Sequence, residues 1–327
     1  DAQESRGLGD VYKRQVYNVR VCFGIYRTDN MNESLSFMCD KASFAVASIK
    51  DDTHSFIAYY DDTMLEAAIK YKTIVDEFDD AIKAGEFKMY LQPQISAKTR
   101  RLTGAEALVR RIKPDGTIIS PIDFIPVYEK SGLISRLDRY IWEQAAAKLG
   151  EWKKAGINMS ISVNISPKDF YYIDIFNTFA GLIKKYDIEP SNLKIEITET
   201  TIMSDVPNLM GELEELRKAG FTLEMDDFGS GYSSLNTLKD INVDVLKVDM
   251  GFIKETKNVK KSRIILASVI KMAKELNLLI ITEGVETEEQ VDNLTKLGCD
   301  VFQGYYFSKA IDVNEFEKRY LYRKKAG

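Results

Sequence analysis

Gly104-Ala105-Glu106-Ala107-Leu108-Val109-Arg110 places a carboxylate and a guanidinium four residues apart within an apolar run. Other apolar segments of strand-like length also end in polar side chains, which a packed core does not tolerate without partners. These side chains are Asn164, Glu196, Asp226, Asp227, Lys247, Glu283 and Gln303. The recurrence indicates an architecture in which the ends of many strands meet.

Eight segments have the composition and length of β-strands. They lie near residues 87–92, 103–109, 159–164, 193–198, 221–226, 244–248, 278–283 and 299–303. Helical patterns separate them from the second strand onward, for example Leu137–Trp152, Leu209–Ala219 and Ile264–Leu276. This alternation is typical of a parallel α/β barrel.

The first two strands depart from the alternation. Only Ser96 to Leu102 joins them, whereas a parallel crossover needs about a dozen residues or more. We therefore expect a TIM-type (β/α)8 barrel with its first strand antiparallel, preceded by a small α+β fragment and a linker helix.

The chain before the barrel has its own patterns. Val16–Ile25 and Ser55–Tyr60 are strand candidates on either side of a helical pattern, Met38–Ile49. Thr63–Lys83 repeats apolar residues with the helical period and ends at Gly85, which predicts one continuous linker helix. The expected organisation is a disordered or non-native tail (1–15), a fragment (16–62), the linker helix (63–86), the barrel (87–322) and a tail (323–327).

Composition excludes several classes of protein. A net charge of −5, from 45 basic and 50 acidic residues, argues against binding of duplex nucleic acid through its phosphates. Three cysteines without CxxC spacing favour reduced thiols in a cytoplasm over a disulfide framework or a zinc site. His54 is the single histidine and lies outside the strand-end pattern, which argues against His-based catalysis.

No apolar run approaches the roughly 18 residues of a membrane span. We therefore expect no membrane segment in this chain and a cytoplasmic location, although the full-length parent could be anchored in a membrane. Asp1–Gln15 has neither helical nor strand period, so we expect the N-terminus to be truncated or partly foreign.

In a parallel barrel the carboxyl ends of the strands share one mouth, where active sites lie. The polar strand ends would bring five carboxylates and one amide to it. Two carboxylates at 4 Å repel by about 4 kcal/mol at an effective dielectric of 20. Either some of them are protonated or divalent cations lie among them, and the oxygen donors suit Mg²⁺ or Mn²⁺, with looser geometry for Ca²⁺.

Each residue also has a simpler interpretation. Glu106 or Asn164 alone would be an ordinary solvated strand end, and Lys247 could form a purely structural salt bridge instead of facing an acidic mouth. Asp226 and Asp227 precede a Gly-Ser loop, which is either a structural turn or a mobile segment that closes on metal or substrate.

The motifs, taken together and in order, resemble the EAL family of cyclic di-GMP phosphodiesterases over about Phe87 to Tyr320. They are Glu106-Ala107-Leu108 with Arg110, Asn164-Ile165-Ser166, Glu196-Ile197-Thr198-Glu199, Asp226-Asp227-Phe228-Gly229, Lys247-Val248-Asp249, Glu283-Gly284-Val285-Glu286 and Gln303-Gly304-Tyr305.

The resemblance implies two divalent ions per site, Mg²⁺ or Mn²⁺, with Ca²⁺ inhibitory. Asp227 would help to hold the second ion, and Gln303 would contact a metal or water. Glu283 would be a general base or second-metal ligand, and Lys247 would polarise the attacking water or stabilise charge. The first ion would be bound by Glu106, Asn164, Glu196 and Asp226.

The remaining implied roles concern substrate and loop. Arg110 would grip a phosphate, while Gln92, Leu108 and Asp249 would contact the substrate. Glu199 would anchor the loop Asp227–Tyr232. The implied activity is hydrolysis of one phosphodiester bond of cyclic di-GMP to linear pGpG by a homodimer. The alternative is a catalytically silent module that binds the nucleotide.

The N-terminal fragment carries a second resemblance. Cys22-Phe23-Gly24-Ile25-Tyr26 and the stretch Cys39–Lys50 resemble the C-terminal third of a GGDEF domain of the diguanylate-cyclase type. The glycine-rich signature of that family is absent from the sequence, so we expect a truncated remnant without cyclase activity.

Overall fold

A computed structural model describes residues 21–28, 32–50, 54–204, 208–229, 238–239, 241–249 and 259–322, and only the backbone of 259 and 260. The chain divides into two compact units, Asp1–Asp76 and Glu77–Gly327. Among the described residues, no helix is both long enough and apolar enough to cross a bilayer.

The first unit follows the predicted order of strand, helix and strand. Strand β1 (Phe23–Ile25) pairs in parallel with β2 (Ile57–Tyr59), and helix α1 (Leu35–Ser48) connects them. The Ser34 side chain caps α1 by accepting a hydrogen bond from the backbone of Phe37. The predicted first strand was longer, and its residues 16–20 lie outside the described residues.

The predicted single linker helix is wrong in one respect. Helix α2 (Asp62–Asp76) ends before Glu77, and a separate helix α3 (Phe78–Lys83) follows. The interruption falls where the second unit begins. There Phe78 is buried in the second unit, and the Glu77 carboxylate accepts a 2.7 Å hydrogen bond from Arg111, so local tertiary contacts override the continuous helical pattern.

The second unit is the predicted closed barrel of eight strands. Its strands are β3 (Phe87–Ser96), β4 (Leu102–Ile112), β6 (Ile161–Ile165), β7 (Leu193–Thr198), β8 (Leu223–Asp226), β9 (Val245–Asp249), β10 (Leu279–Glu283) and β11 (Val301–Phe302). Each pairs with the next and β11 closes on β3. Strand β3 is antiparallel to both β4 and β11, while the pairs from β4 to β11 are parallel, which confirms the expected reversed strand.

Two short strands extend the sheet outside the barrel. Strand β5 (Ile118–Ile119) pairs antiparallel with the end of β4, and β12 (Ile311–Asp312) pairs antiparallel with Tyr90 and Leu91 of β3.

Helices cover the outside of the barrel. They are α4 (Pro121–Ser131), α5 (Ile134–Lys154), α6 (Asp169–Tyr172), α7 (Ile175–Tyr186), α8 (Glu199–Met203), α9 (Leu209–Lys218), α10 (Val259–Glu275), α11 (Glu288–Leu297) and α12 (Val313–Phe316), with short 3-10 and π turns at Pro190–Asn192 and Glu317–Leu321. Local signals fix their ends: α11 begins with a capping box between Thr287 and Gln290 and ends at Gly298, whose φ of 95° favours glycine.

Alternation along the strands separates an apolar outer face from a polar interior. On β7, Ile195 and Ile197 are fully buried on the outer face, whereas Lys194 and Glu196 share the inner one. Strands buried on both faces are usually apolar throughout. The barrel departs from this rule in its upper interior, and that departure places the candidate site.

Candidate active site

The centre of the barrel mouth is the ammonium group of Lys247, on β9, which is 1% exposed. Four carboxylates from four other strands surround its Nζ atom. The distances are 2.7 Å to Glu283 Oε1, 3.0 Å to Glu196 Oε1, 3.3 Å to Asp226 Oδ1 and 3.5 Å to Glu106 Oε2. Residues distant in sequence therefore form one compact cluster, as the ends of neighbouring strands in a closed barrel must.

The cluster carries more negative than positive charge. Burial and the neighbouring Glu106 raise the pKa of Glu196 well above its usual value. Burial likewise raises the pKa of Glu283 to about 8, although the charge of Lys247 opposes the shift. Burial alone would lower the pKa of Lys247, but the surrounding carboxylates, Glu106 first, raise it well above its usual value. One ammonium does not neutralise four carboxylates.

Hydrogen bonding leaves the same carboxylates under-satisfied. Both oxygens of Glu196 and Oε1 of Glu283 lack a hydrogen-bond partner of good geometry among the described residues. Glu196 Oε1 and Glu283 Oε1 lie within ion-pair distance of the Lys247 ammonium, yet without the direction of a hydrogen bond. Buried oxygens in this state favour an additional cation or proton.

Oxygen donors of this type fit a hard divalent cation. Among the described residues, however, no group of three or more His, Cys, Asp and Glu side chains has the arrangement of a metal site. The carboxylates converge on the Lys247 ammonium instead. The donor chemistry fits Mg²⁺ or Mn²⁺. On binding, the carboxylates would contact both the Lys247 ammonium and the ion.

Glu106 is fixed through both of its carboxylate oxygens. Gln303 Nε2 donates to Oε2, and Asn164 Nδ2 donates to Oε1 at 3.3 Å. Gln303 is oriented in turn, because Gln94 Nε2 donates to its Oε1 at 3.2 Å and its own Nε2 lies 3.4 Å from Gln92 Oε1. The amide oxygen of Gln303 is thus occupied by Gln94.

Sequence reasoning missed Gln94, which is 1% exposed. A signal was present, because Gln92 and Gln94 share one face of β3 and a buried glutamine needs partners. It also missed Trp142, whose indole Nε1 donates to the backbone oxygen of Asn164 at 2.9 Å and so fixes the end of β6.

Two cavities open beside Leu108. The first has a volume of about 380 Å³ and includes Gln92, Glu106, Asp249 and Glu283 in its wall. The second, of about 260 Å³, is lined mainly by apolar atoms. Polar side chains also face it, including Arg110, Glu129, Asp138 and Asn164. Leu108 lies in the wall of both, so a ligand with two parts could occupy them together.

Arg110 is half-buried at the second cavity. Its Nη1 donates to the Val109 carbonyl at 2.6 Å, and its guanidinium lies 5.9 Å from the centre of the Tyr90 ring. Burial lowers the pKa of Arg110, but a guanidinium stays protonated in proteins. It offers further N–H groups to an anion.

Asp138 and Asp169 form a pair of carboxyl groups next to the second cavity, in which Asp169 is fully buried and Asp138 is partly buried. Burial and the neighbouring Asp169 raise the pKa of Asp138 well above its usual value. Burial raises the pKa of Asp169 to about 6, although a 2.7 Å hydrogen bond from the Ser166 backbone opposes the shift. Neither residue was predicted, because α5 and α6 carry them and no strand end signals them.

The loop after β8 is described only in part. Asp227 adopts a left-handed conformation with φ of 55°, its backbone N–H donates to Asp226 Oδ1 at 2.9 Å, and its side chain is exposed. Although the residue is exposed overall, partial desolvation of its carboxyl group, followed by the charge of Asp226, raises the pKa of Asp227. Residues 230–237 lie outside the described residues, so loop closure and its anchoring by the buried Glu199 stay predictions.

Residues 75–310 match the profile of a family described as the EAL domain. The chain is 36% identical over 252 residues to the probable cyclic di-GMP phosphodiesterase PdeG of Escherichia coli K12, covering 75% of this chain and 48% of that protein. It is 30% identical over 275 residues to the bifunctional diguanylate cyclase/cyclic di-GMP phosphodiesterase MucR of Pseudomonas aeruginosa, covering 84% of this chain and 40% of MucR.

A solved structure, the MucR phosphodiesterase in complex with c-di-GMP, is similar in fold as well. Its TM-score is 0.70 and its identity 32%, covering 75% of this chain and 99% of that one. The chain spans less than half the length of the curated relatives it matches.

Proposed function

The chain belongs to the EAL domain family, and from this premise we propose that it hydrolyses one phosphodiester bond of cyclic di-GMP to give linear pGpG. The observation that carries the proposal is the convergence of four carboxylates on Lys247 at the mouth of the barrel. The names of its relatives PdeG and MucR support the substrate.

We propose that Glu106, Asn164, Glu196 and Asp226 hold one Mg²⁺ or Mn²⁺ and that Asp227 and Glu283 contribute to a second. The under-satisfied oxygens of Glu196 and Glu283 and the excess negative charge support this assignment. Bound divalent ions lower the pKa of a water and stabilise the charge of a reacting phosphodiester. Ca²⁺, with its looser geometry, is expected to inhibit.

The protein groups then have distinct tasks. Gln303 and Asn164 fix the Glu106 carboxylate by donating to its two oxygens. Lys247 orients Glu283, whose Oε1 lies 2.7 Å from Nζ. As the alternative to holding the second ion, Glu283 would serve as the general base that takes a proton from the attacking water. Arg110 can bind a non-reacting phosphate oxygen through its free N–H groups.

The two cavities beside Leu108 support a substrate with two bases. The second cavity offers apolar walls and the carboxyl group of Asp138. Even when it is protonated, that carboxyl group keeps a carbonyl oxygen that can accept a hydrogen bond from an N–H group of guanine. We therefore assign this cavity to one guanine, and the first cavity, with Gln92 and Asp249 in its wall, to the rest of the nucleotide.

The alternative is a catalytically silent module that binds cyclic di-GMP without hydrolysing it. A turnover assay separates the two functions. The purified chain is incubated with cyclic di-GMP and Mg²⁺ or Mn²⁺, and the nucleotides are resolved by chromatography. We expect pGpG, none of it after chelation of the metal, and none from Glu106→Gln. Tight nucleotide binding without turnover would establish the silent module.

We also propose that the first unit is a truncated GGDEF-like fragment and that the barrel forms a homodimer in the cytoplasm. The parallel strand–helix–strand arrangement of β1, α1 and β2 supports the first point. Light scattering of the purified chain tests the second, and a monomer at micromolar concentration would contradict it.

A further inference from the structure

A second buried ion pair lies beneath the carboxylate cluster. Lys194 Nζ is 2.9 Å from Glu224 Oε1, and the Glu224 side chain is fully buried while that of Lys194 is 16% exposed. Strand alternation places Lys194 below Glu196 on β7 and Glu224 below Asp226 on β8. Glu196 and Asp226, the two residues above the pair, belong to the cluster around Lys247.

Glu196 and Glu224 are neighbours across the two strands. They are paired in register between β7 and β8, with side chains on the same inner face. The charges therefore follow one another from the base of the barrel to its mouth as Lys194, Glu224, Glu196 and Lys247. The two carboxylates in the middle are each paired with an ammonium on their far side.

Packing does not require an ion pair at this level of the barrel. Directly beside the pair, Val245 is the register partner of Glu224 on β9, and it forms an apolar cluster with Ile281 and Val301. Replacing a buried ion pair by apolar residues is often neutral or stabilising. A contribution to fold stability therefore does not explain why a charged pair occupies this position. An electrostatic effect on the neighbouring Glu196 does explain it.

We propose that Lys194 and Glu224 are a positioning pair, which cancels its own charge beneath Glu196 and so keeps the Glu196 carboxylate available to a divalent cation at the mouth. The inference rests on the proposed function, because it concerns the same site. Neither residue lines the two cavities, so neither touches the substrate.

Removing one partner disturbs Glu196 in a direction that depends on which charge remains. Glu224→Gln removes the carboxylate that lies 2.9 Å from the Lys194 ammonium. The uncompensated positive charge, two residues before Glu196 on the same face of β7, then opposes binding of a cation at Glu196. Lys194→Met leaves an extra negative charge beside Glu196, which attracts a cation. The double variant Lys194→Met/Glu224→Gln removes both charges and restores the balance.

The test measures Mn²⁺ binding to the full chain by calorimetry, without substrate. We expect Glu224→Gln to weaken Mn²⁺ at least about tenfold, Lys194→Met not to weaken it, and the double variant to return to within about threefold of the wild type. In turnover, kcat should fall in both single variants and recover in the double, while KM for cyclic di-GMP stays unchanged.

A matched control is Lys148→Met, because Lys148 pairs with Glu317 on the outside of the barrel at 3.3 Å. It should leave Mn²⁺ affinity unchanged.

A pair with a purely structural role would lower the thermal stability of both single variants. It would either leave the Mn²⁺ affinity of both unchanged or shift both affinities in the same direction. Either result would overturn the inference. If Lys194→Met does not fold, the isosteric Glu224→Gln and the neutral double variant still decide. Wild-type protein that binds no Mn²⁺ would refute the proposed metal site and this inference with it. Intact wild-type binding with the wrong pattern in the variants would refute the inference alone.

Discussion

Glu106 shows how a single side chain in this site depends on its neighbours. Its two oxygens accept from Gln303 and Asn164, and Gln303 keeps its orientation because Gln94 donates to its other end at 3.2 Å. An amide can rotate to exchange its donor and acceptor ends. Gln94, together with Gln92, whose Oε1 lies 3.4 Å from Gln303 Nε2, therefore decides which end of Gln303 faces Glu106.

Replacing Gln94 by leucine should lower kcat by about tenfold with little change in KM. Without Gln94 the Gln303 amide can turn its oxygen toward Glu106, which repels the carboxylate and costs roughly one charge-assisted hydrogen bond, about 1.5 kcal/mol or more. Steady-state kinetics on cyclic di-GMP measure the change. Gln144→Leu is the control, because the hydrogen bonds of Gln144 within the described part of the chain go to the backbone of Phe87 and Met89 and not to the site. Equal kinetics in the two variants would contradict the assigned role.

At the scale of elements, Asp138 on α5 and Asp169 on α6 make the stability of the fold depend on pH. Both folded-state pKa values lie above the usual ones, and that of Asp169 is about 6 against 3.8. The folded state thus binds more protons than the unfolded state in this range. The stability that Asp169 contributes is highest at low pH and is lost as the pH rises through about 4 to 6, and the raised pKa of Asp138 extends the loss to higher pH.

Asp138→Asn should flatten this dependence, because the asparagine amide can donate to Asp169 in place of a proton. Between about pH 4.5 and pH 7 the wild type should lose about 2 kcal/mol more unfolding free energy than the variant. Urea titrations at the two pH values measure the difference. Asp292→Asn, at a position whose side chain is 61% exposed and 3.7 Å from Arg100, is the control. Parallel curves for the wild type and Asp138→Asn would refute the coupling.

The sequence was informative about elements and less so about contacts between them. Eight strands, the reversed first strand and the polar ends of β4 and β6 to β10 follow from period, loop length and the cost of burying charge. Gln94 and Asp138 escaped prediction because their partners lie on other elements, and no local period reports such contacts. The break at Glu77 escaped for the same reason, since Arg111 is 34 residues away in the chain.

At the scale of the whole molecule, the boundary between the two units falls at Glu77. Within the second unit, the Arg111 side chain is 4% exposed. Its guanidinium lies 2.7 Å from the carboxylate of Glu77 and 2.9 Å from that of Glu86. A buried guanidinium needs these carboxylates, and removing the partners of a buried charge costs about 3–5 kcal/mol. The barrel unit therefore needs its first ten residues for stability.

Two truncated chains test this requirement. A chain that begins at Glu77 should unfold within a few degrees of the full protein and keep its turnover of cyclic di-GMP. A chain that begins at Phe87 loses both partners of Arg111 and also Phe78, whose ring packs 4.9 Å from that of Tyr128, so its melting temperature should fall by about 10 °C or more. Arg111→Met in the shorter chain removes the unpaired charge and should recover part of the loss. Thermal unfolding by circular dichroism measures all three. If the two truncated chains have the same melting temperature, the Glu77–Arg111 contact does not stabilise the barrel, and residues 77–86 are not needed for its stability.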